Sequence, residues 1–239
     1  MTNPTAAMLV IGDEILSGRT RDSNLHHLAK ELTRIGITLC EARVVADQHD
    51  EIISAVRALS ARFTHVFTSG GIGPTHDDIT ADAVAAAMGA AIGQRADAMA
   101  LLQAHYDRAG LPFNEARQRM ARIPDGGHLI DNPVSIAPGF TLGNVHVMAG
   151  VPNIFEAMVA SVLPGLTGGP ALLSQSLRLN RGEGDVAGPF GALAAEYPDL
   201  SMGSYPFIQA GAHGTNLVIR GTDAARVGEA MVRLSRLFG

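Results

Sequence analysis

Residues 68–80 read TSGGIGPTHDDIT, and this stretch decides how the first part of the chain folds. The residues THVFTS (64–69) carry alternating β-forming side chains, and ITADAVAAAMG (79–89) is rich in alanine, with Gly89 placed to end a helix. The pattern predicts a strand, a glycine-rich loop and a helix. Gly70, Gly71 and Gly73 let main-chain N–H groups come close to a ligand, and a helix start behind such a loop attracts anions.

Two adjacent acids, Asp77 and Asp78, stand where a phosphate would approach this loop, and their charge would repel it. A divalent cation that bridges a carboxylate to a phosphate held by the loop amides removes this conflict. A second interpretation is that Asp77, Asp78 and Thr80 only cap the helix and complement its dipole. The spacing leaves both interpretations open, since acids are common in a first helical turn.

Strands and helices alternate on the amino-terminal side of this stretch. Residues 6–11 form an apolar run typical of a strand buried on both faces, residues 38–45 predict a second strand, and apolar side chains recur at helical spacing over 25–35 and 50–62. Residues 12–24 predict an ordered loop. Such alternation predicts an α/β fold with a parallel sheet covered on both faces, whose ligand crevice lies at the carboxyl ends of the strands. The acids that follow these strand ends are Asp13, Glu14, Asp47, Asp77 and Asp78.

The remaining pattern predicts two domains, 1–167 and 171–239, joined at LTGGP (166–170). In the first domain we expect helices over 94–109, 114–122 and 154–163, and strands within 128–140 and 144–150. Asn153 either caps the last of these helices or contacts the ligand, and the capping interpretation is favoured. The sequence of the second domain predicts a small α+β unit in the order βαββα. Its strands are expected at 172–180, 200–205 and 216–220 and its helices at 186–197 and 223–237.

Composition restricts the partners of the chain. It has 239 residues, 46% of them hydrophobic, and a net charge of −5, without a cluster of basic side chains. Nucleic acid and anionic membranes are therefore not expected as partners. No stretch resembles a signal peptide or a membrane span, and Cys40 is the lone cysteine, which together predict a cytoplasmic protein without a disulfide. Cys40 lies in a strand-like run and is expected to be buried.

Several segments together carry a resemblance to a known family. They are GDEILSGRTRDSN (12–24), VVADQHDEI (44–52), SGGIGPTHDDITADAVA (69–85), APGF (137–140) and GVPNIFEAM (150–158). With these the chain resembles the MoaB/MogA-type molybdopterin-binding domain family, in the branch represented by the N-terminal part of CinA, competence/damage-inducible protein A. The likeness covers residues 6–165, and LSMGSYPF (200–207) is similar to the second segment of CinA and of FAD-synthase-associated members.

The resemblance implies a three-layer α/β sandwich with a mostly parallel sheet, a pterin or nucleotide ligand, a divalent metal (Mg²⁺, Mn²⁺ or Co²⁺) and a homo-oligomer. In MogA-like enzymes two aspartates serve activity, and by motif these fall on Asp47 and Asp78, which would also hold the metal. Two positions depart from the family pattern: Ser135 stands where glycine is frequent, and Ala149 where proline is usual, so the far wall of the pocket is expected to differ. The other positions that match ligand-binding motifs are Gly12, Asp13, Glu14, Ser69, Gly70, Gly71, Gly73, Pro74, Thr75, Asp77, Thr80, Pro138, Gly139, Gly150 and Pro152.

The resemblance leaves two activities in competition. Members close to MogA adenylylate molybdopterin, whereas CinA-type members are associated with metal-dependent cleavage of the pyrophosphate in FAD or ADP-ribose, which releases AMP. The likeness over nearly the full chain favours the CinA type. A third hypothesis is a protein that binds a pterin or nucleotide without turnover. The presence of Asp47, Asp77 and Asp78 favours catalysis over this hypothesis.

Overall fold

A computed structural model describes residues 3–209 and 211–239 and divides the chain into two units, Met1–Gly169 and Pro170–Gly239. The boundary between the units lies inside the segment LTGGP (166–170). Each unit has its own apolar core. Within the residues that the structure describes, no helix is long and apolar enough to cross a bilayer.

The first unit is built on a six-stranded, mostly parallel sheet, which confirms the predicted fold class. In spatial order its strands are β2 (Thr38–Val45), β1 (Thr5–Ile11), β3 (His65–Ser69), β8 (Val145–Met148), β7 (Gly139–Leu142) and β6 (His128–Ile130). The strands β2, β1, β3 and β8 run parallel, while β7 and β6 continue the sheet in antiparallel pairing. A separate antiparallel pair joins β4 (Ile92–Gln94) to β5 (Arg122–Pro124).

Helices cover both faces of this sheet because successive side chains of a strand point to opposite sides. On β1, Ala7 and Leu9 belong to one buried core, whereas Ala6 and Met8 belong to the other. The helices are α1 (Asp13–Leu16), α2 (Asn24–Arg34), α3 (His49–Ser60), α4 (Thr80–Met88), α5 (Ala96–Ala109), α6 (Glu115–Gln118) and α7 (Pro152–Val162). Side chains of α3, α4 and α5 fill the first core, and those of α2 and α7 fill the second, which makes three layers.

Some local predictions for this unit are wrong. The segment after β1 begins with the short helix α1 instead of a loop, and residue 94 belongs to β4, so the next helix begins at Ala96. Asn153 does not cap α7: the N-cap is Val151, and Pro152 takes the first helical position, which its fixed φ favours. Cys40 is exposed, because β2 is an edge strand whose residues alternate between exposed and partly buried.

The second unit has the predicted order βαββα. Its three strands lie in the order β10 (Ser201–Gln209), β11 (Ala212–Gly221) and β9 (Leu173–Leu179), all antiparallel, and α8 (Glu183–Glu196) and α9 (Ala224–Phe238) contribute to the core with them. The strands β10 and β11 are longer than predicted, because their pairing extends from Ser201 opposite Arg220 to Gln209 opposite Ala212. The sequence predicted only the parts 200–205 and 216–220, and backbone pairing extends both strands beyond these residues.

Candidate functional site

The carboxyl ends of β1, β2, β3 and β8 meet at one edge of the first unit, as their parallel pairing requires. The segments that follow these strands border a cleft of about 530 Å³. This volume lies within the roughly 300–1000 Å³ typical of small-molecule sites. Among the positions that match family motifs, those that line the cleft are Gly12, Glu14, Asp47, Gly70, Gly71, Gly73, Pro74, Asp77, Asp78, Gly150 and Pro152.

The other matched positions lie around this cleft without lining it. Ser69 borders a smaller adjoining cavity of about 50 Å³, which shares Glu14 with the cleft. Pro138 borders a third cavity next to residues 71–73. Gly139 begins β7, where an added Cβ would stand 2.3 Å from the carbonyl oxygen of Val147. Thus Gly139 serves the close approach of two strands.

The loop after β3, here called the glycine loop (residues 70–75), has a backbone that glycine alone tolerates at two positions. Gly70 has φ 111° and Gly71 has φ 68°. A Cβ on Gly70 would stand 2.1 Å from the carbonyl oxygen of Ile11, and one on Gly71 would stand 2.1 Å from Thr80 Oγ1. The loop is therefore held tightly against both β1 and the start of α4, and larger residues at these positions would displace it.

Asp78 fastens the other end of the glycine loop. Its Oδ2 atom accepts hydrogen bonds from the Thr75 N–H at 2.7 Å and from the Thr75 hydroxyl at 2.5 Å. The N-cap of α4 is Ile79, which has no side-chain capping bond, and Thr80 is the first helical residue. Neither the two acids nor Thr80 is the N-cap of α4, so the capping part of the second interpretation is wrong, while its dipole part stays a prediction. Asp78 instead fixes the shape of the loop, while Asp77 remains exposed beside it.

Asp47, which follows β2, lies among other carboxylates. Its Oδ2 accepts the N–H of Asp13 at 3.0 Å and so ties the end of β2 to the start of α1. Burial raises the pKa of Asp47, and the charges of Asp13, Glu14 and Asp77 raise this pKa further, although the Asp13 N–H acts to lower it. We call these four residues the acidic rim. A partly buried carboxyl with a raised pKa is suited to bind a cation or to accept a proton.

The described part of the chain contains no group of three or more His, Cys, Asp or Glu side chains that could hold a metal ion. A divalent ion held by Asp47 and Asp78 would therefore need oxygen atoms of the bound ligand to complete its coordination. Mg²⁺ is commonly bound in this way, by one or two carboxylates together with substrate phosphates. The donor set at this edge fits such a shared ion and does not form a closed protein site.

Four buried side-chain atoms in the described residues have no hydrogen-bond partner, and all belong to segments around this edge. They are Asn24 Oδ1, Thr68 Oγ1, Thr80 Oγ1 and Arg119 Nε. Buried polar atoms are usually satisfied, so an unsatisfied one points to a missing water, ion or ligand. Their location supports the assignment of the functional site to this edge.

Two buried asparagines were missed by the motif analysis as parts of the site. Asn24, only 4% exposed, donates from Nδ2 to Ser69 Oγ at 2.7 Å and to the Gly150 carbonyl at 2.8 Å, which joins α2 to the ends of β3 and β8. Asn132 donates to Ser135 Oγ and to the Ala137 carbonyl, and so folds the loop before β7. The available signal for Asn24 was its place at the end of the motif segment 12–24.

Both departures from the family pattern, Ser135 and Ala149, line the cleft. The neighbouring Ile136 has φ 68°, which is rare for a β-branched residue. The hydrogen bonds of Asn132 on either side of Ile136 hold this conformation. Strained loops of this kind are frequent at ligand-binding sites.

Comparison with known proteins agrees with this geometry. A family described as "Probable molybdopterin binding domain" matches residues 7–168, and a family described as "FAD synthase, middle domain" matches residues 171–239. The crystal structure of the protein CinA from Thermoplasma acidophilum, described as having unknown function, is 32% identical with a TM-score of 0.63, and the match covers 69% of this chain and 99% of that one.

Curated relatives show the same relationship. A protein of Pyrobaculum calidifontis is 35% identical over 213 residues, which are 85% of this chain and 81% of the relative. A protein of Metallosphaera sedula is 36% identical over 164 residues, and there the match covers 66% of this chain and 62% of the relative. The chain therefore belongs to the MoaB/MogA-type molybdopterin-binding domain family, with a CinA-like first unit followed by a unit of the FAD synthase middle-domain type.

Proposed function

We propose that the cleft binds a nucleotide or pterin with a phosphate against the amides of the glycine loop, and that the protein hydrolyses the pyrophosphate bond of FAD or ADP-ribose to release AMP. The observation that carries this proposal is the position of Asp47, a carboxyl with a raised pKa, in the same cleft as the glycine loop. The matching family descriptions, molybdopterin binding and FAD synthase, support a ligand of this chemical class.

In this proposal the glycine loop holds the phosphate, Asp78 serves both the loop and the metal, and Asp47 serves both the water and the metal. The glycine loop binds the phosphate through its N–H groups, and Asp78 keeps the loop in shape through Thr75. Asp47 orients a water molecule and accepts its proton as the water oxygen bonds to phosphorus, while the bond from that phosphorus to the bridging oxygen breaks. A divalent cation, Mg²⁺, Mn²⁺ or Co²⁺, bound by Asp47 and Asp78, would neutralise charge on the phosphates.

The test is to incubate the purified protein with FAD or ADP-ribose and each of the three metals, and to measure AMP by chromatography. We expect AMP that disappears with EDTA and in Asp78→Asn and Asp47→Asn. The control is Asp50→Asn, which removes a fully exposed aspartate on α3 outside the cleft. AMP formation that survives EDTA would rule out the role given to the metal, and unchanged rates in Asp78→Asn would rule out the role of this loop.

A second candidate is the adenylylation of molybdopterin by ATP, which the description of the matching family favours. It predicts AMP-molybdopterin from ATP and molybdopterin, with pyrophosphate as the other product. Retained pterin binding without any product would instead identify a non-catalytic binding protein.

We also propose a homo-oligomer located in the cytoplasm; light scattering of the purified chain measures its mass.

A further inference from the structure

Arg119 lies beside residues of the glycine loop and has no charged partner among the residues that the structure describes. Arg119 belongs to a 3₁₀ turn, Arg119–Ala121, between α6 and β5. It borders a small cavity together with Gly71, Gly73 and Asp78, all of which also line the ligand cleft. Arg119 therefore borders a cavity that shares lining residues with the cleft.

The hydrogen-bonding groups of Arg119 are largely unused. Its Nη2 donates to the main-chain oxygen of Asp78 at 3.4 Å, while its Nε is buried without a partner. Arg122, in the same cavity, donates from two nitrogens to the carboxylate of Asp82. Arg119 forms no such ion pair with any residue that the structure describes. A guanidinium with free donors beside an anion-binding loop is suited to bind phosphate, because its planar fork matches two phosphate oxygens.

The cleft itself supplies no positive charge. None of the described residues that line it is Lys, Arg or His, whereas Glu14, Asp47, Asp77 and Asp78 all line it. A diphosphate that enters this cleft meets mainly like charge, and the loop amides alone provide only partial charges. Of the two arginines in the small cavity that shares lining residues with the cleft, Arg122 pairs with Asp82, whereas Arg119 has no carboxylate partner among the described residues.

We propose that Arg119 is the phosphate-binding cation of this site, and that its guanidinium selects ligands that carry a diphosphate over the same ligands without phosphate. The proposal rests on the proposed function, in which a phosphate occupies the glycine loop. Loss of a charge-assisted hydrogen bond in this position should weaken diphosphate binding by about 10- to 100-fold. It should leave the affinity for an uncharged nucleoside unchanged.

The test is calorimetric titration of the full chain with ADP-ribose, inorganic pyrophosphate and adenosine. Arg119→Gln should bind ADP-ribose and pyrophosphate about 10- to 100-fold more weakly, with adenosine as in the wild type, and Arg119→Lys should recover part of the loss. The matched control is Arg117→Gln: Arg117 stacks 4.4 Å from the centre of the Tyr106 ring and borders neither cavity. This control should bind all three probes normally.

The outcomes separate this inference from the proposed function. Normal pyrophosphate and ADP-ribose binding by Arg119→Gln overturns the inference and leaves hydrolysis to be judged by AMP release. An equal loss for adenosine assigns Arg119 a structural role and also overturns it. Weakened diphosphate binding in a protein that releases no AMP supports the inference while hydrolysis fails. A wild-type chain that binds neither diphosphate overturns both.

Discussion

The buried histidine His146 makes the first unit sensitive to acid. It lies on β8 with 4% exposure, its Nδ1 is 2.9 Å from Thr141 Oγ1, and its Nε2 is 3.3 Å from Nδ1 of His65. The ring of Phe67 stacks against it with 4.8 Å between ring centres. Burial, and secondarily the charge of His65, lowers the pKa of His146 to about 4.

The stability cost follows from the difference between folded and unfolded pKa values. The unfolded chain binds a proton on this imidazole below a pKa of about 6.5, whereas the folded chain does so only near 4. Stability is therefore intact above pH 6.5 and is lost as the pH falls towards 4. Between pH 7.5 and pH 5.0 this one group should lower the free energy of unfolding by about 2 kcal/mol.

The assay compares the wild type with His146→Gln, using hydrogen exchange of β3 and β8 across a urea series at pH 7.5 and pH 5.0. The free energy of unfolding of the wild type minus that of the variant should be about 2 kcal/mol smaller at pH 5.0 than at pH 7.5, because the variant lacks the titrating group. The control His26→Gln removes an exposed histidine on α2 and should keep the wild-type pH dependence. An equal difference in the free energy of unfolding at both pH values would refute this reasoning.

Three further substitutions test the site directly. Gly70→Ala should destabilise the first unit by about 2 kcal/mol or more and abolish pyrophosphate binding, as measured by thermal unfolding and calorimetry, because the added Cβ collides with the Ile11 carbonyl. Asp47→Asn should raise the melting temperature of the ligand-free protein while AMP release disappears, because the variant relieves repulsion in the acidic rim. Asn24→Ala should cost about 2–3 kcal/mol in urea unfolding, because two buried partners, Ser69 Oγ and the Gly150 carbonyl, lose their donor.

The fold and the location of the site could be predicted because both depend on local patterns. Alternating strands and helices determine a parallel sheet, and a parallel sheet brings the segments after its strands to one edge. The positive φ angles of Gly70 and Gly71 likewise follow a sequence signal, since glycine is the residue that adopts them at no cost. The convergence of Asp47 with Asp13 across 34 residues was accessible for the same reason.

Contacts that depend on strand order or on distant partners could not be read from the sequence. Asn24 bonds to the Gly150 carbonyl across 126 residues, and although Asn24 ends the motif segment 12–24, no local pattern identifies Gly150 as its partner. Arg119 approaches the Asp78 carbonyl across 41 residues from a separate 3₁₀ turn. Cys40 was expected to be buried because it lies in a strand-like run, but the exposure of a strand depends on whether it lies at the edge of the sheet.

Several energetically unfavourable features of the ligand-free protein lie at one edge of the first unit. The unsatisfied atoms, the raised pKa of Asp47 and the left-handed Ile136 all occur there, and in the described part of the second unit no buried side-chain atom lacks a partner. In most proteins buried polar atoms are hydrogen-bonded and strained backbone is rare. Several such unfavourable features in one place therefore point to an interaction that compensates for them. The ligand that we propose, with phosphate oxygens at the glycine loop and at Arg119 and a cation at Asp47 and Asp78, would provide that compensation. Among the described residues of the second unit there is no comparable cluster.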